Sequence, residues 1–441
     1  MRWLSFWPLL TMMLMTTNAA EKGIFPYRYD QWDLPNGLRL ITVPTDYPNV
    51  VNLQIVVQVG SRNEVEPGKS GFAHFFEHMM FRGTKNTTPE EYERQMKQIG
   101  ASFNASTWDD RTNYHTTFSK EDLETVLRLE ADRFQFLSYS EAAFRTEALA
   151  VLGEYNKGSS EPFQKLMEVL MDTAFDQHTY KHTTIGFLKD IQDMPNQYEY
   201  SKVFFDRYYR PEYTTLIVTG DVDPKTTRAL VEKYWGAWQR GSYRAEIPRE
   251  PQHDGPRRNH VDWPTATLPL LAVAFHSAAY TDTDLDSAAL DVIGYLGFSP
   301  NSELYRKLVI EDQVVDYLSV DTFDHVDPHL FTVTARIKKK EDLARVEKEI
   351  LATVESFKEK LAPRDKLDSV KKHLRYRFAL RLNNSEDIGE VLCHYVALRR
   401  TPETINRIYE RYAALTAEDL QRMARKYFVD RERVIVTLTG K

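Results

Sequence analysis

The sequence predicts an α+β protein built from two tandem, homologous domains of about 200 residues each. Three observations predict it. A plan of strand, Gly/charge-rich turn and apolar helix, "LQIVVQVGSRNEVEPGKSGFAHFFEHMMFRG", returns at nearly the same length as "LLAVAFHSAAYTDTDLDSAALDVIGYLG" (270–297). The halves also end alike, "FFDRYYRPEYTTLIVTGDV" against "MARKYFVDRERVIVTLTGK". Between them, residues 239–268 are rich in Pro, Arg and Gly and follow neither periodicity, which marks a linker. The expected domains are therefore 21–238 and 269–441, after a leader at 1–20.

Taken in order, that leader has one early Arg, an apolar run from Trp3 to Met15 and small residues at Ala19 and Ala20, the pattern of a cleaved secretory signal. Its apolar run is shorter than the ~20 residues a membrane span needs. No later segment is long and apolar enough either, so the expectation is an exported, soluble, periplasmic chain. "LRLITV" and "VVNLQIVVQVG" are β-branched runs ended by turn residues and read as strands. A helix is expected from an N-cap at Ser70 to a stop at Gly83. Residues 101–118 read as two strands around a polar turn at Asp109 and Asp110. Ser119 opens a helix with Leu123, Leu127, Phe134 and Leu137 on helical spacing. A third helix runs from about Ser140 to Asn156, and "TTLIVTGDV" (214–222) is the last strand of the half.

Composition narrows the function classes. A chain that is 42% hydrophobic and 27% charged, with 24 Tyr and 23 Phe, folds rather than staying disordered. A net charge of -7 gives no footprint for a nucleic-acid partner. The single cysteine, Cys393, excludes an intramolecular disulfide and a thiolate metal cluster.

Chemistry concentrates in "GFAHFFEHMM" (71–80). At about 100° per residue, His74 and His78 lie some 40° apart on one helix face, with Glu77 on the same side. Two imidazoles so spaced can bind one Zn²⁺, with a carboxylate beside them that reaches a bound water. A core helix with hydrogen-bonded histidines gives the same letters, and zinc needs a third ligand. The next helix offers Glu147 and Glu154, seven apart on one face. His115 reads as a strand residue, and His178 and His182 as loop histidines with structural roles. The positions matching His74 and His78 in the second half fall near Leu290 and Gly294, so that copy cannot bind metal in the same way.

H-F-F-E-H, with a Glu 76 positions after the second His, resembles the pitrilysin/insulinase-type metallopeptidases, the inverted zincins. "NGLRLI", "GFAHFFEHMMFRGT", "GASFNASTW", "VLGEYNKG" and "TLIVTGDV" agree in order, so the resemblance covers essentially the whole chain after the leader. It implies the short, two-domain branch, with mostly antiparallel sheets packed with helices and a second chain completing a clam-shell chamber. The resemblance assigns one Zn²⁺ per chain to His74, His78 and Glu154, and the role of general base to Glu77. Glu147 would orient the ligands. Asn104 and Ala105 would belong to a strand that receives extended peptide substrates.

One departure stands out. Where active single-chain relatives carry an Arg and a Tyr seven apart to stabilise the oxyanion, "SELYRKLVIEDQVVDYLSV" (302–320) has Val309, and Tyr317 displaced by one. Either a partner chain, in a homodimer or heterodimer, supplies the pair, or a nearby group such as Arg306 or Tyr317 substitutes. The expected activity is zinc endopeptidase; a non-catalytic peptide-binding or scaffold subunit is the alternative.

Overall fold

Alternating apolar residues in the first half assemble a six-stranded sheet. The computed structural model describes residues 23–441, so the expected leader lies outside the described residues. The strands are β1 (Asp30–Asp33), β2 (Arg39–Pro44), β3 (Val50–Val57), β4 (Ser102–Thr107), β5 (Thr112–Ser119) and β6 (Thr214–Gly220). Their order is β1-β2-β6-β3-β5-β4, and only the β2–β6 pair is parallel. The first five of the eight α-helices among the described residues of this half are α1 (Phe72–Met79), α2 (Pro89–Gln98), α3 (Leu123–Phe136), α4 (Glu141–Gly158) and α5 (Pro162–Ala174). Ser140 caps α4 as expected, its hydroxyl accepting from the Ala143 amide at 3.2 Å.

The second half repeats the plan with β7 (Arg257–Trp263), β8 (Leu270–His276), β9 (Val315–Asp321), β10 (Leu330–Ile337) and β11 (Arg433–Gly440). The order β7-β11-β8-β10-β9, with only β7–β11 parallel, matches β2-β6-β3-β5-β4 strand for strand. Two tandem α+β domains with mostly antiparallel sheets are thus what the chain forms. Helix Asp286–Phe298 stands where α1 stands, with Leu290 and Gly294 buried in its core.

One boundary moves. The stretch 239–268 is irregular only to residue 256, and then contributes β7. That strand, RRNHVDW, lies at a sheet edge and is fully buried nowhere along its length. It lacks the alternation that betrays a half-buried strand, and its parallel pairing to β11 defines it instead.

The two domains exchange helices. Leu166, Leu170 and Ala174 of α5, in the first half, pack on Leu270, Ala272, Ala274, Val434, Val436 and Leu438 of the second sheet. Reciprocally, helix Ser385–Arg399 lies on β3 and β6, where Ile41, Val43, Val56 and Ile217 join the second core. Gly389 permits the close approach, since a Cβ there would sit 2.3 Å from Asn52 Oδ1. No helix of the described residues is long and apolar enough to cross a membrane.

Candidate metal centre

Helix α1 is fixed before its histidines are used. Phe72, Phe75, Phe76 and Met79 are fully buried, and Phe76 stacks on Phe204 with centroids 5.4 Å apart. The helix starts at Phe72 after Gly71, whose φ of +92° and contact with the Ile185 carbonyl leave no room for a Cβ. Ser70, the expected N-cap, is engaged elsewhere: its hydroxyl donates to Asp190 at 2.7 Å and accepts from the Phe187 amide. Buried Glu64 does the capping, accepting from the Gly71 and Ala73 amides at 2.7 Å each. A carboxylate at a helix N-terminus satisfies amides that have no intrahelical partner.

The open face of α1 carries His74 and His78, ring centroids 4.8 Å apart and edge to face. From α4, Glu154 Oε2 comes within 3.5 Å of His74 Nε2 and 3.7 Å of His78 Nε2. One ligand atom from each of these three residues lies within 4.8 Å of the others. Tetrahedral Zn²⁺, with bonds of about 2.0–2.2 Å, holds its donors about 3.3–3.5 Å apart, so this N₂O set fits that ion. The protonation states fit too. Burial, then the neighbouring His78, pulls His74 down to about 4, which leaves a neutral imidazole with a free lone pair.

Glu147, also on α4, is buried behind the pair. Its Oε1 lies 2.9 Å from His78 Nδ1, and Arg82 Nε donates to its Oε2 at 2.5 Å. Burial pushes this carboxyl up, but the hydrogen bonds from His78 and Arg82 outweigh it and hold it below the usual range. An ionised Glu147 accepts a hydrogen bond from Nδ1–H of His78, which keeps the proton on Nδ1 and leaves the Nε2 lone pair on the side of Glu154. The same bond to Glu147, against the effect of burial, raises His78.

Glu77 points along the same face and accepts from the Thr107 hydroxyl at 2.7 Å. Burial raises its carboxyl, while the Thr107 bond and the nearby His78 pull the other way. Thr107 ends β4, the edge strand of the first sheet. Asn104 and Ala105 lie on that strand opposite His115 and Tyr114, Asn104 exposed and Ala105 buried.

Against this geometry the family comparison is decisive. A profile described as "Insulinase (Peptidase family M16)" matches residues 39–186, and "Peptidase M16 inactive domain" matches residues 197–374. The chain belongs to the M16 peptidase family. It is 28% identical over 438 residues to "Zinc protease PqqE" of Helicobacter pylori, covering 97% of both chains. It is 24% identical to the mitochondrial-processing peptidase subunit beta of Blastocladiella emersonii, covering 92% of this chain and 87% of that one. "The crystal structure of a protease from Helicobacter pylori" superposes with a TM-score of 0.87 at 28% identity, covering 94% of this chain and 99% of that one.

Three M16 site partners escaped the sequence reading: Glu64, Thr107 and Arg82. Each acts through another residue, and no spacing within the motif announces it. The other histidines stay apart from the centre. His178 accepts from the Tyr180 amide and donates to Asp327 at 3.0 Å. His182 Nε2 lies 3.7 Å from Glu64, and His115 Nδ1 lies 3.9 Å from Glu386. In the second domain, Tyr317 is half-exposed on edge strand β9 with its ring edge-on to Phe163. Val309 packs on the second core, and Arg306 pairs with Glu311 at 3.2 Å.

Proposed function

We propose that this chain is a zinc-dependent endopeptidase acting on extended peptides. The observation that carries the reading is the convergence of His74, His78 and Glu154 beside Glu77. In this reading His74, His78 and Glu154 hold one Zn²⁺ and Glu147 fixes the His78 tautomer. Bound there, the ion supplies Lewis acidity, drawing a water's pKa toward neutrality and polarising a peptide carbonyl. Thr107 occupies Oε2 of Glu77, which leaves Oε1 to take the proton from the attacking water and return it to the leaving amine. A carboxyl raised by burial is a suitable shuttle near neutral pH.

The open edge of β4 accepts a peptide as an added strand, with Asn104 and Ala105 beside it. Backbone pairing of this kind favours extended chains over particular sequences. Val309 and the displaced Tyr317 support a partner chain, a second copy or a related one, as the source of oxyanion donors. The leader pattern supports a periplasmic setting.

Glu77→Gln tests the mechanism: zinc bound at the α1 centre stays at the wild-type level while cleavage of a quenched peptide falls by about 10²–10⁴-fold. Undiminished cleavage would sink it. The second reading, a peptide-binding subunit without activity, draws on Val309 and on the match to the inactive domain. Wild-type chain that binds zinc and peptide yet never cleaves, alone or with a partner, would establish it.

A further inference from the structure

A second histidine cluster lies where the two domains meet. His253 belongs to the irregular strap that crosses between them, His276 ends β8, and Glu432 closes the turn before β11. One donor atom from each lies within 4.8 Å of the others. The imidazole rings are 4.6 Å apart, edge to face. Nε2 of His253 and Nε2 of His276 both contact the carbonyl oxygen of Ala174, the last residue of α5, at 2.8 and 2.9 Å. A carbonyl only accepts, so both Nε2 atoms carry hydrogen, and in the neutral rings each Nδ1 carries the lone pair.

The His253 lone pair has no protein partner to explain it. His253 is 3% exposed, and its Nδ1 makes no hydrogen bond. Glu432, 9% exposed, likewise has an Oε1 with no hydrogen-bond partner, the nearest cation being Arg431 Nε at 3.4 Å. Glu250, on the same strap as His253, is committed to the amides of Asp176, Gln177 and His178. Two buried acceptors in one cluster, each without a hydrogen-bond donor, are costly unless something positive sits beside them.

A comparison within the molecule sharpens this. Asp109, His325 and His329 are just as close together. There, however, His325 donates from Nδ1 to the Phe323 carbonyl at 2.8 Å and from Nε2 to Asp109 at 3.1 Å. With both nitrogens protonated it has no lone pair, and that cluster is an ion pair.

We propose that His253, His276 and Glu432 form a second cation site for Zn²⁺ or a similar borderline divalent transition-metal ion, distinct from the centre on α1. The donor set suits that class: two neutral imidazoles and one carboxylate, with both imidazoles oriented by the same carbonyl. Occupation ties the strap, the second sheet and the end of α5 together, which makes it a staple of the domain interface rather than a reaction centre.

The test is uptake of Zn²⁺ by chelator-stripped, full-length protein. Wild type is expected to take up two equivalents and His253→Ala one. In a His78→Ala background, which disables the α1 centre, a Zn²⁺-induced rise in melting temperature is expected, and it should vanish when Glu432→Gln is added. Glu432→Gln keeps the shape of the side chain, so its loss of zinc response reads binding rather than folding. One equivalent in wild type, or a second equivalent that survives both His253→Ala and Glu432→Gln, overturns the proposal.

Discussion

At the scale of single residues, the centre on α1 depends on groups that never touch the metal position. Glu147 matters because a neutral imidazole can ligate through either nitrogen, and only its partner decides which. Its carboxylate accepts a hydrogen bond from His78 Nδ1–H at 2.9 Å while Arg82 holds it in place. Glu147→Gln keeps the volume but can present its amide hydrogens to Nδ1, which favours the wrong tautomer. Zinc affinity is therefore expected to fall by about 10–100-fold, with melting of the metal-free protein changed little. Competition with a chelating dye measures it, and an affinity unchanged by the substitution would show that the His78 tautomer is set elsewhere.

At the scale of elements, the decisive contact is between two hairpin turns. The β4–β5 turn carries Asp109 and Asp110, and the β9–β10 connection carries His325 and Val326. The Val326 amide donates to Asp110 at 3.0 Å, and His325 donates to Asp109 at 3.1 Å. Burial alone would lower His325, but the bond to Asp109 and that carboxylate's charge carry it up to about 9. Asp109 goes down to about 2 through His325, despite burial. The sign follows from linkage. A histidine raised on folding stabilises fully below its unfolded value near 6.5 and loses that contribution as pH climbs through about 9. The aspartate's share is present above about 4 and is lost only toward pH 2. His325→Gln should therefore be less stable than wild type by at most about 3 kcal/mol near pH 6, and the gap should close by pH 10. Urea titrations across that range would show it; a gap of constant size would mean that the pair is not charged in the folded state.

Much of this scale was legible in the sequence, for physical reasons. The β2, β3, β6 and α4 segments bury one pattern of side chains locally, so their periodicity survives in the letters. Strand β7 was not legible, because an exposed edge strand buries nothing that alternates. The cap on α1 was misplaced at Ser70, because the true capping group, Glu64, reaches back from outside the helix. His74 and His78 were legible through spacing and Glu154 through the family resemblance, whereas Thr107 and Arg82 meet the site only once β4 and α4 have packed on α1. The same limit hid His253, His276 and Glu432, which are far apart in sequence and have no motif.

At the scale of the whole molecule, the exchanged helices make the two halves one folding problem. Sheet residues such as Ala272, Ala274 and Val436 in the second half are fully buried, and α5 of the first half covers them. Removing either half would strip a sheet of its cover and expose a continuous apolar face. Unfolding is therefore expected to be a single transition despite the two homologous domains, with far-UV dichroism and tryptophan fluorescence sharing one midpoint. Leu170 on α5, fully buried against the second sheet, is the position to probe. Leu170→Ala should cost about 2–5 kcal/mol and shift both signals together, since the cavity lies in the shared layer. Two separated transitions, with only one moved by the substitution, would mean that each sheet finds another cover and that the halves fold independently. A single moving transition would instead couple the β4 edge and the His74, His78 and Glu154 cluster to second-domain packing.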